Sequence, residues 1–580
     1  MSALLQTDGY KLFHKEGYHQ DITEVYSNYT SRNGRLSNTL SDEGVVFVGL
    51  QYFIKDVLIK EWNDTFFNIP KEQAVKAFKR IVDSYLSIDY DASHFEALHD
   101  LGYLPLRIKA LAEGSIVPYG VAPVTFVSTV SGFQWLPNYI ETVMSTENWP
   151  IQTATTTALA YYKRCKEALE LTGGVSMAKF NIHDFSFRGL PGRHAAAMIG
   201  FGHLASGLAG TDNLSAILFA EKFYGADVEK ELVGCSVPAT EHSTATSYIM
   251  IESEKQGISL FEAELQYVKY LFTKAPTGIL SHVSDSFDFW SFVEKGLVEL
   301  KDDIMNREGT FVVRPDSGCP VEVLCGLQVK YLSGNWDDSE ETFNDWKECV
   351  ADAMDDQFRC NLEPEDPHGI ETETYSFGGT IYEVTYEPTL DRHDKQYYYV
   401  DNDGDDVDHC TFKEVTLTAE QKGLIQCLWE IFGGTTTDKG FKQLDRHIGA
   451  IYGDAITLGR QDEIYKRLMD KGFVPSVVLG VGSYSYQMVT RDTHGSAVKA
   501  TNVVQQGIDV AVFKDPKTDS KKKSAKGLLR IEREHGELVQ YDMQTREQEE
   551  AGLLQVVFEN GKLYNKQTLK GIRDLVASQM

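Results

Sequence analysis

The sequence predicts an α/β protein: an irregular (β/α) barrel joined to a β-rich lobe that the N- and C-terminal parts build together. Three observations lead there. Five short apolar runs each end in a polar cluster, and helix-like segments such as 194–208 and 461–471 separate several of them. Strands alternating with helices argue for βα units. The stretches 104–130 and 528–563 read instead as short strands and hairpins.

Taken in order, 45–58 and 71–86 have helical periodicity, the second entered through Pro70. The segment 104–130 is rich in Val, Pro and Gly and reads as several strands. The five runs follow: 178–182 before the tip 183–188, 278–280 before 281–285, 310–313 before 314–318, 448–452 before 453–454, and 474–479 before 480–483. At the C-terminal side Asn560-Gly561 is a strong type I′ turn signal. These readings divide the chain into 1–145 (lobe, with helices), 146–326 (barrel), 327–430 (insertion), 431–490 (rest of the barrel) and 491–580 (rest of the lobe).

The insertion stands out by charge. Residues 331–420 hold 25 Asp or Glu and 5 Lys or Arg, a net −20 of the chain's −29, which leaves −9 over the other 490 residues. Strand-like stretches at 380–386 and 396–400, with an Asp-Gly turn signal after Val400, suggest a solvated module with a hairpin. The run 401–406 hints at a calcium loop. Its glycine falls at the fourth position and Phe412 stands where the bidentate Glu belongs, so an acidic turn is the better reading.

Composition excludes several classes. With 580 residues, 42% apolar and 24% charged, the chain reads as globular with two to four domains. Its negative charge disfavours nucleic acid and anionic lipid, so a phosphorylated ligand needs a local basic pocket. No run approaches the ~18 apolar residues of a membrane span, and 1–11 lacks the pattern of a signal peptide. Eight cysteines without a Cys-x-x-Cys pair are expected to be reduced thiols of a cytoplasmic protein.

In a (β/α) barrel, function gathers at the C-terminal strand ends. Arg314 and Asp316 share one tip: a guanidinium fork suits a phosphate, and a carboxylate suits sugar hydroxyls or hydrated magnesium. Asp285 and Asp454 lie on two other tips. The 480–483 tip, with Gly482 and Ser483, offers backbone N–H groups to a phosphate; Arg491 and Lys499 follow and could complete the pocket. Phe185 and Arg188 share a tip, and Tyr10, near Asp8, is a candidate second aromatic face for a flat heterocycle. Asp212 could accept from an amide NH₂. Ser236 and Ser281 are candidate polar contacts. His242 sits between an acid and a hydroxyl, and Glu241 is expected to orient its ring. The run 433–438 looks like a phosphate loop but lacks the Gly-Lys-Ser/Thr, and the basic run 521–523 needs no special role.

Together these segments resemble nicotinamide phosphoribosyltransferases. The matching residues include Thr7–Lys11, Arg32, Gly49–Tyr52, His183–Gly189, Gly210–Asp212, Ser236–Ser243, Val283–Ser286, Arg314–Gly318, Gly453-Asp454, Thr490–Asp492 and Val512–Pro516. The resemblance spans nearly the whole chain outside about 327–430. It implies transfer of ribose 5-phosphate from phosphoribosyl pyrophosphate to nicotinamide in NAD salvage, within a homodimer that shares its active sites. Phe185 and the partner's Tyr10 would sandwich the pyridine, and Asp212 would hold the carboxamide. Arg314, Asp316, Asp285, Gly453 and Asp454 would bind ribose and magnesium pyrophosphate, with Asp285 and Asp316 reaching Mg²⁺ through water. Gly482, Ser483 and Arg491, and across the interface Arg32 and Lys499, would bind phosphates. His242 would be phosphorylated by ATP. The 480–484 run and Gly453-Asp454-Ala455 are poorer in glycine than the family pattern. Competing readings are a nicotinate phosphoribosyltransferase, a non-catalytic pyridine-nucleotide-binding protein and a sugar-phosphate hydrolase.

Overall fold

The computed structural model describes every residue except 1, 40–43, 176, 333, 335, 338, 362–370, 388–408, 454 and 515–523. Six parallel strands form the barrel wall: β1 (Ile182–Asp184), β2 (Gly210–Thr211), β3 (Leu280–Val283), β4 (Phe311–Arg314), β5 (Ile448–Tyr452) and β6 (Val478–Val481). Across the sheet they run β2-β1-β6-β5-β4-β3, every neighbour parallel. All C-terminal ends therefore share one rim, as the five sequence tips require.

The sheet curls, and one segment serves both of its edges. Cys235 pairs with Gly210 of β2, and Ala239 pairs with Ser281 of β3. The N–H of Cys235 donates to the Ala209 carbonyl at 2.8 Å, and that of Ser281 to Pro238 at 2.9 Å. Edge groups that would otherwise lack a partner are thus satisfied on both sides.

Helices wrap the wall. They include α1 (Glu141–Thr172), α2 (Arg193–Ala205), α3 (His242–Gln256), α4 (Leu260–Lys274), α5 (Leu458–Asp470) and α6 (Leu569–Ser578). Alternating residues of the strands meet Tyr161 and Ala154 of α1, Leu265 and Val268 of α4 and Ile464 of α5 in one core. Arg573 of α6 is a clamp. Its guanidinium donates to the carbonyls of Leu204, Leu208, Leu232 and Val233 at 2.6–3.2 Å. It ties the end of α2 to the chain entering the closing segment, and burial pulls its pKa down to about 10.

Strands from both ends of the chain share one sheet. This seven-stranded antiparallel sheet runs Ile508–Ala511, Ser496–Gln505, Ile22–Ser31, Val124–Ser128, Leu106–Ala110, Gln555–Glu559, Lys562–Leu563. Trp62, Phe78, Phe95, Trp135 and Phe558 fill the core beneath. Asn560 and Gly561 both take positive φ, 48° and 81°, as a type I′ turn demands.

Several boundaries differ from the sequence reading. Val45–Val46 is a strand, and the helix begins only at Leu50, after Gly49 with φ 106°. Residues 178–180 form a 3₁₀ turn, so β1 starts at Ile182. The expected boundary at 145 falls inside α1. The insertion ends sooner than 430: Ala419, Leu424, Ile425 and Leu428 belong to the barrel core. The insertion's own hairpin joins Glu371–Phe377 to Thr380–Tyr386 through Gly378 and Gly379, and Cys410–Glu414 extends the sheet. The segments 396–400 and 401–406 lie outside the described residues. A helix, Glu340–Asn361, went unrecognised; Trp346, Val350, Met354 and Phe358 at four-residue spacing meet Tyr375, Val384 and Tyr386 in a separate core. No described helix is long and apolar enough to cross a membrane.

Two stability predictions follow from these buried groups. Arg573→Ala orphans four carbonyls and is expected to cost about 3 kcal/mol in denaturant unfolding, with Arg573→Lys recovering only part. Burial also holds His94 and His494 at about 4, against the usual 6.5, and each keeps a ring nitrogen without a partner among the described residues. The unfolded chain takes up these protons first, so their contribution is full above pH 6.5 and is lost as pH falls through 4. Unfolding free energy measured across that window should decline, and His94→Gln should make the decline shallower.

Candidate active site

The strand tips converge on a cavity of about 1030 Å³ walled by Phe185, Arg188, Asp212, Arg314, Asp316, Gly453, Gly482 and Ser483, among others. A second cavity of about 510 Å³ runs into the barrel and shares Phe185, Asp212 and Arg314 with the first. Ser236 and Ser281 line this inner space. Ser281 is buried, and its hydroxyl has no partner among the described residues, so it is available to a ligand.

Phe185 stands at the junction of the two. Its N–H donates to the Val481 carbonyl at 3.0 Å, which pins the loop after β1 to β6. The Arg314 guanidinium carbon lies 5.7 Å from the ring centroid, within cation–π range. Asp212 follows β2. Its Oδ1 accepts from His183 Nε2 at 2.9 Å and from Ser236 Oγ at 2.7 Å. Burial works to raise its pKa, but those two hydrogen bonds and the charges of His183 and Arg314 outweigh it and hold the carboxyl below its usual range. The result is an ionised acceptor beside an aromatic face. His183 was only part of a motif in the sequence reading; its role emerges once β1 and β2 are neighbours.

Arg314 and Asp316 leave the end of β4 with Nη2 3.4 Å from Oδ2. Arg314 Nε is buried without a partner among the described residues. Gly453 is small for a reason: a Cβ there would come within 3.0 Å of Asp316 Oδ1. Asp454 lies outside the described residues. Ala455 takes φ 54°, a left-handed conformation that favours glycine, so the chain turns sharply here without the expected residue.

Asp285 is placed differently from expectation. Its side chain is 5% exposed and does not wall the cavity. Oδ1 accepts from His242 Nε2 at 2.9 Å, and Oδ2 accepts the Asp316 N–H at 3.0 Å. Burial alone would raise its pKa; hydrogen bonds from Ser317, His242 and Asp316 keep it below the usual range. Asp285 therefore orients His242 and the Arg314–Asp316 tip from beneath. This also corrects the role given to Glu241, whose carboxylate caps α3 and accepts from Ser243.

The remaining candidates form a separate basic cavity of about 240 Å³ on the lobe. Arg32, Arg491, Lys499 and Lys514 line it with Glu141 and Ser145. Burial and the neighbouring cations push the Lys499 pKa down, against Glu141. Tyr10 is 70% exposed, its hydroxyl 3.3 Å from Asp8 Oδ2, and it feels the charges of Glu141 and Arg491. Arg491 was expected beside Gly482 and Ser483; it groups instead with Arg32 and Lys499. Helix α1 measures the separation. Ser145 lines the basic cavity, whereas Tyr161 donates to the Ile456 carbonyl of the barrel cavity. Sixteen residues of helix span roughly 24 Å. Cavity residues that escaped the sequence reading include Lys514, though its motif was visible, and Arg460, which opens α5 and donates to the Ala455 carbonyl at 2.6 Å.

The sequence matches the family model for the nicotinate phosphoribosyltransferase (NAPRTase) family over residues 180–353 and 384–562. A protein named nicotinamide phosphoribosyltransferase from Acinetobacter baylyi is 38% identical over all of this chain and 98% of its own length. One of the same name from Xanthomonas campestris is 26% identical over 99% of this chain and 97% of its own length. The crystal structure of nicotinate-nucleotide pyrophosphorylase from Pyrococcus furiosus overlaps with a TM-score of 0.47 and 12% identity, covering 99% of this chain and 94% of that one.

A Cβ on Gly480 would stand 2.5 Å from Phe185 Cδ2 and 2.9 Å from Gly453 Cα, whereas one on Gly482 meets nothing within 4 Å. Gly480→Ala is therefore expected to lower stability by about 1–3 kcal/mol through overpacking. Gly482→Ala should stay within about 0.5 kcal/mol of the parent. Thermal unfolding of the pair checks both.

Proposed function

Since the chain belongs to the nicotinate phosphoribosyltransferase family, and is thereby a phosphoribosyl (pentosyl) transferase of NAD salvage, we propose that its acceptor is nicotinamide. The observation that carries this reading is Asp212. An ionised carboxylate beside the Phe185 ring accepts from a carboxamide NH₂ and repels the carboxylate of nicotinate. The names of the relatives from Acinetobacter baylyi and Xanthomonas campestris support the same choice.

In this reading the pyridine stacks on Phe185, its amide on Asp212, with Ser236 and Ser281 in reach of the inner end. Arg188, Arg314, Gly453, Gly482 and Ser483 receive the phosphate groups, and Asp316 the ribose hydroxyls. The ring nitrogen's lone pair forms the bond to ribose C1 while the C1–oxygen bond breaks and its electrons leave with pyrophosphate. Arg314 stabilises the negative charge that develops, and Asp316 the positive charge on the sugar. The cavity holds both reactants in line.

Magnesium is assigned here to the substrate. Both oxygens of Asp285 are committed, and no group of three or more His, Cys, Asp or Glu among the described residues could hold a metal. Magnesium carried on the pyrophosphate would neutralise the leaving group, with Asp316 as the carboxylate facing its water shell.

ATP stimulation is assigned to His242. With Nε2–H donating to Asp285, Nδ1 carries the lone pair. Its bond to the γ-phosphorus forms as the bond to the bridging oxygen breaks and ADP departs; water later returns the free imidazole and phosphate. A homodimer completes the reading. The basic cavity and Phe185 line separate cavities of one chain, and in this reading a second copy brings the basic cavity and Tyr10 to the acceptor.

Incubation with phosphoribosyl pyrophosphate, Mg²⁺, ATP and either acceptor, with products resolved by mass, tests the acceptor. Nicotinamide mononucleotide is expected, and Asp212→Asn should raise kcat/KM for nicotinate relative to nicotinamide by about tenfold or more; preference for nicotinate in the parent would reject the assignment. Shared sites are tested by mixing. Asp316→Ala and Arg491→Ala should each be inactive, and co-refolded in equal amounts they should regain about a quarter of native activity, because half the dimers are mixed and each has one intact site.

A further inference from the structure

Behind His242 lies a buried chain of hydrogen bonds that the reaction as described leaves unused. Glu264 of α4, His282 of β3 and Thr240 of the closing segment are 2%, 0% and 7% exposed. The Val283 N–H donates to Thr240 Oγ1 at 2.9 Å. Thr240 Oγ1 stands 3.2 Å from His282 Nδ1, and His282 Nε2 stands 3.4 Å from Glu264 Oε1. The rings of Tyr267 and Phe292 flank the imidazole at centroid distances of 5.7 Å.

The proton positions follow from the inventory of donors. The Glu264 carboxylate only accepts, so Nε2 carries the ring proton and donates to it. Nδ1 then accepts the Thr240 hydroxyl proton. The hydroxyl oxygen in turn accepts the Val283 N–H, an edge donor of β3 that would otherwise be left unpaired. Each donor is used once, which is what a buried polar chain must achieve to avoid a penalty.

The placement of this chain gives it a consequence. Thr240 precedes His242 by two residues, and Val283 precedes Asp285 by two. The Val283–Thr240 and His242–Asp285 hydrogen bonds are therefore successive rungs between the same two stretches. Setting the first sets the second. Glu241, between them, is occupied with capping α3 and cannot hold the ring.

We propose that Glu264, His282 and Thr240 form a positioning relay for His242: it locks the register of the closing segment on β3, and so presents His242 to Asp285 with Nδ1 free for phosphoryl transfer. This rests on the assignment of ATP coupling to His242. None of the three touches the acceptor or phosphoribosyl pyrophosphate in the arrangement described above, so the relay acts on the ATP-linked step alone.

The test uses the full-length protein and the pair Thr240→Val, which removes the hydroxyl at nearly constant volume, and Thr240→Ser, which keeps it. Three quantities are read: phosphohistidine formed from labelled ATP, synthesis without ATP, and the ring-nitrogen NMR shifts of His242. Thr240→Val should slow phosphohistidine formation about tenfold or more, move the His242 Nε2 signal toward that of a free imidazole, and leave ATP-free synthesis within about twofold of the parent; Thr240→Ser should restore both changes. Thr240→Val with parental phosphorylation and an unmoved His242 signal overturns the relay. So does an equal loss of ATP-free synthesis, which marks a general structural role. A parent that forms no phosphohistidine, with His242→Ala still stimulated by ATP, rejects the ATP assignment instead; the His242 signal in Thr240→Val then still decides whether the relay positions the ring.

Discussion

The constraint on which this molecule depends is the demand that a curled parallel sheet leave no edge unpaired. Six short strands cannot satisfy their outer N–H and C=O groups alone. The chain answers by threading residues 235–240 along both edges at once, pairing with β2 at one end and β3 at the other. That single solution to a backbone problem fixes much of the chemistry. It brings Ser236 to Asp212 at one end and delivers His242 to Asp285 at the other. Arg573, by gathering carbonyls just upstream, holds the approach to the same segment.

Much of this was legible in the residues. The five strand tips are real, share one rim and carry Phe185, Arg314, Asp316, Gly453 and Ser483 to one cavity. The pairing of the two chain ends in one lobe was also visible, because alternation and turn signals at 104–130 and 528–563 are local properties. What stayed hidden is what depends on neighbours distant in sequence. Two-residue β2 is too short to have a period. Glu241 looked like the partner of His242 because it is adjacent; the fold spends it on a helix cap and supplies Asp285 from 43 residues away. Arg491 follows Ser483 closely in sequence, yet α1 and the lobe sheet draw it toward Arg32. In the insertion, the density of acids obscured a helix whose apolar stripe is plain once its spacing is counted.

The insertion also shows how charge and packing are kept apart. Its described part is a small helix-and-sheet module with a core of its own, around Trp346 and Tyr375, and it carries acids such as Glu340, Glu341, Glu371 and Glu373. The barrel and lobe, where anions must be received, are left close to neutral. An excess of carboxylates distributed over those surfaces would oppose every phosphorylated ligand.

The interleaved lobe sheet has a consequence for biosynthesis. Strand Ile22–Ser31 emerges early, but its neighbour Ser496–Gln505 is made more than four hundred residues later. At about 5–20 residues per second, the ribosome leaves that early strand without its final partner for roughly 20 s or longer. Leu106–Ala110, at the other side of the N-terminal strands, likewise waits for Gln555–Glu559, so the nascent lobe holds both flanks of its sheet open while the whole barrel is translated, and this interval is when chaperone engagement or misassociation between nascent chains would be most consequential.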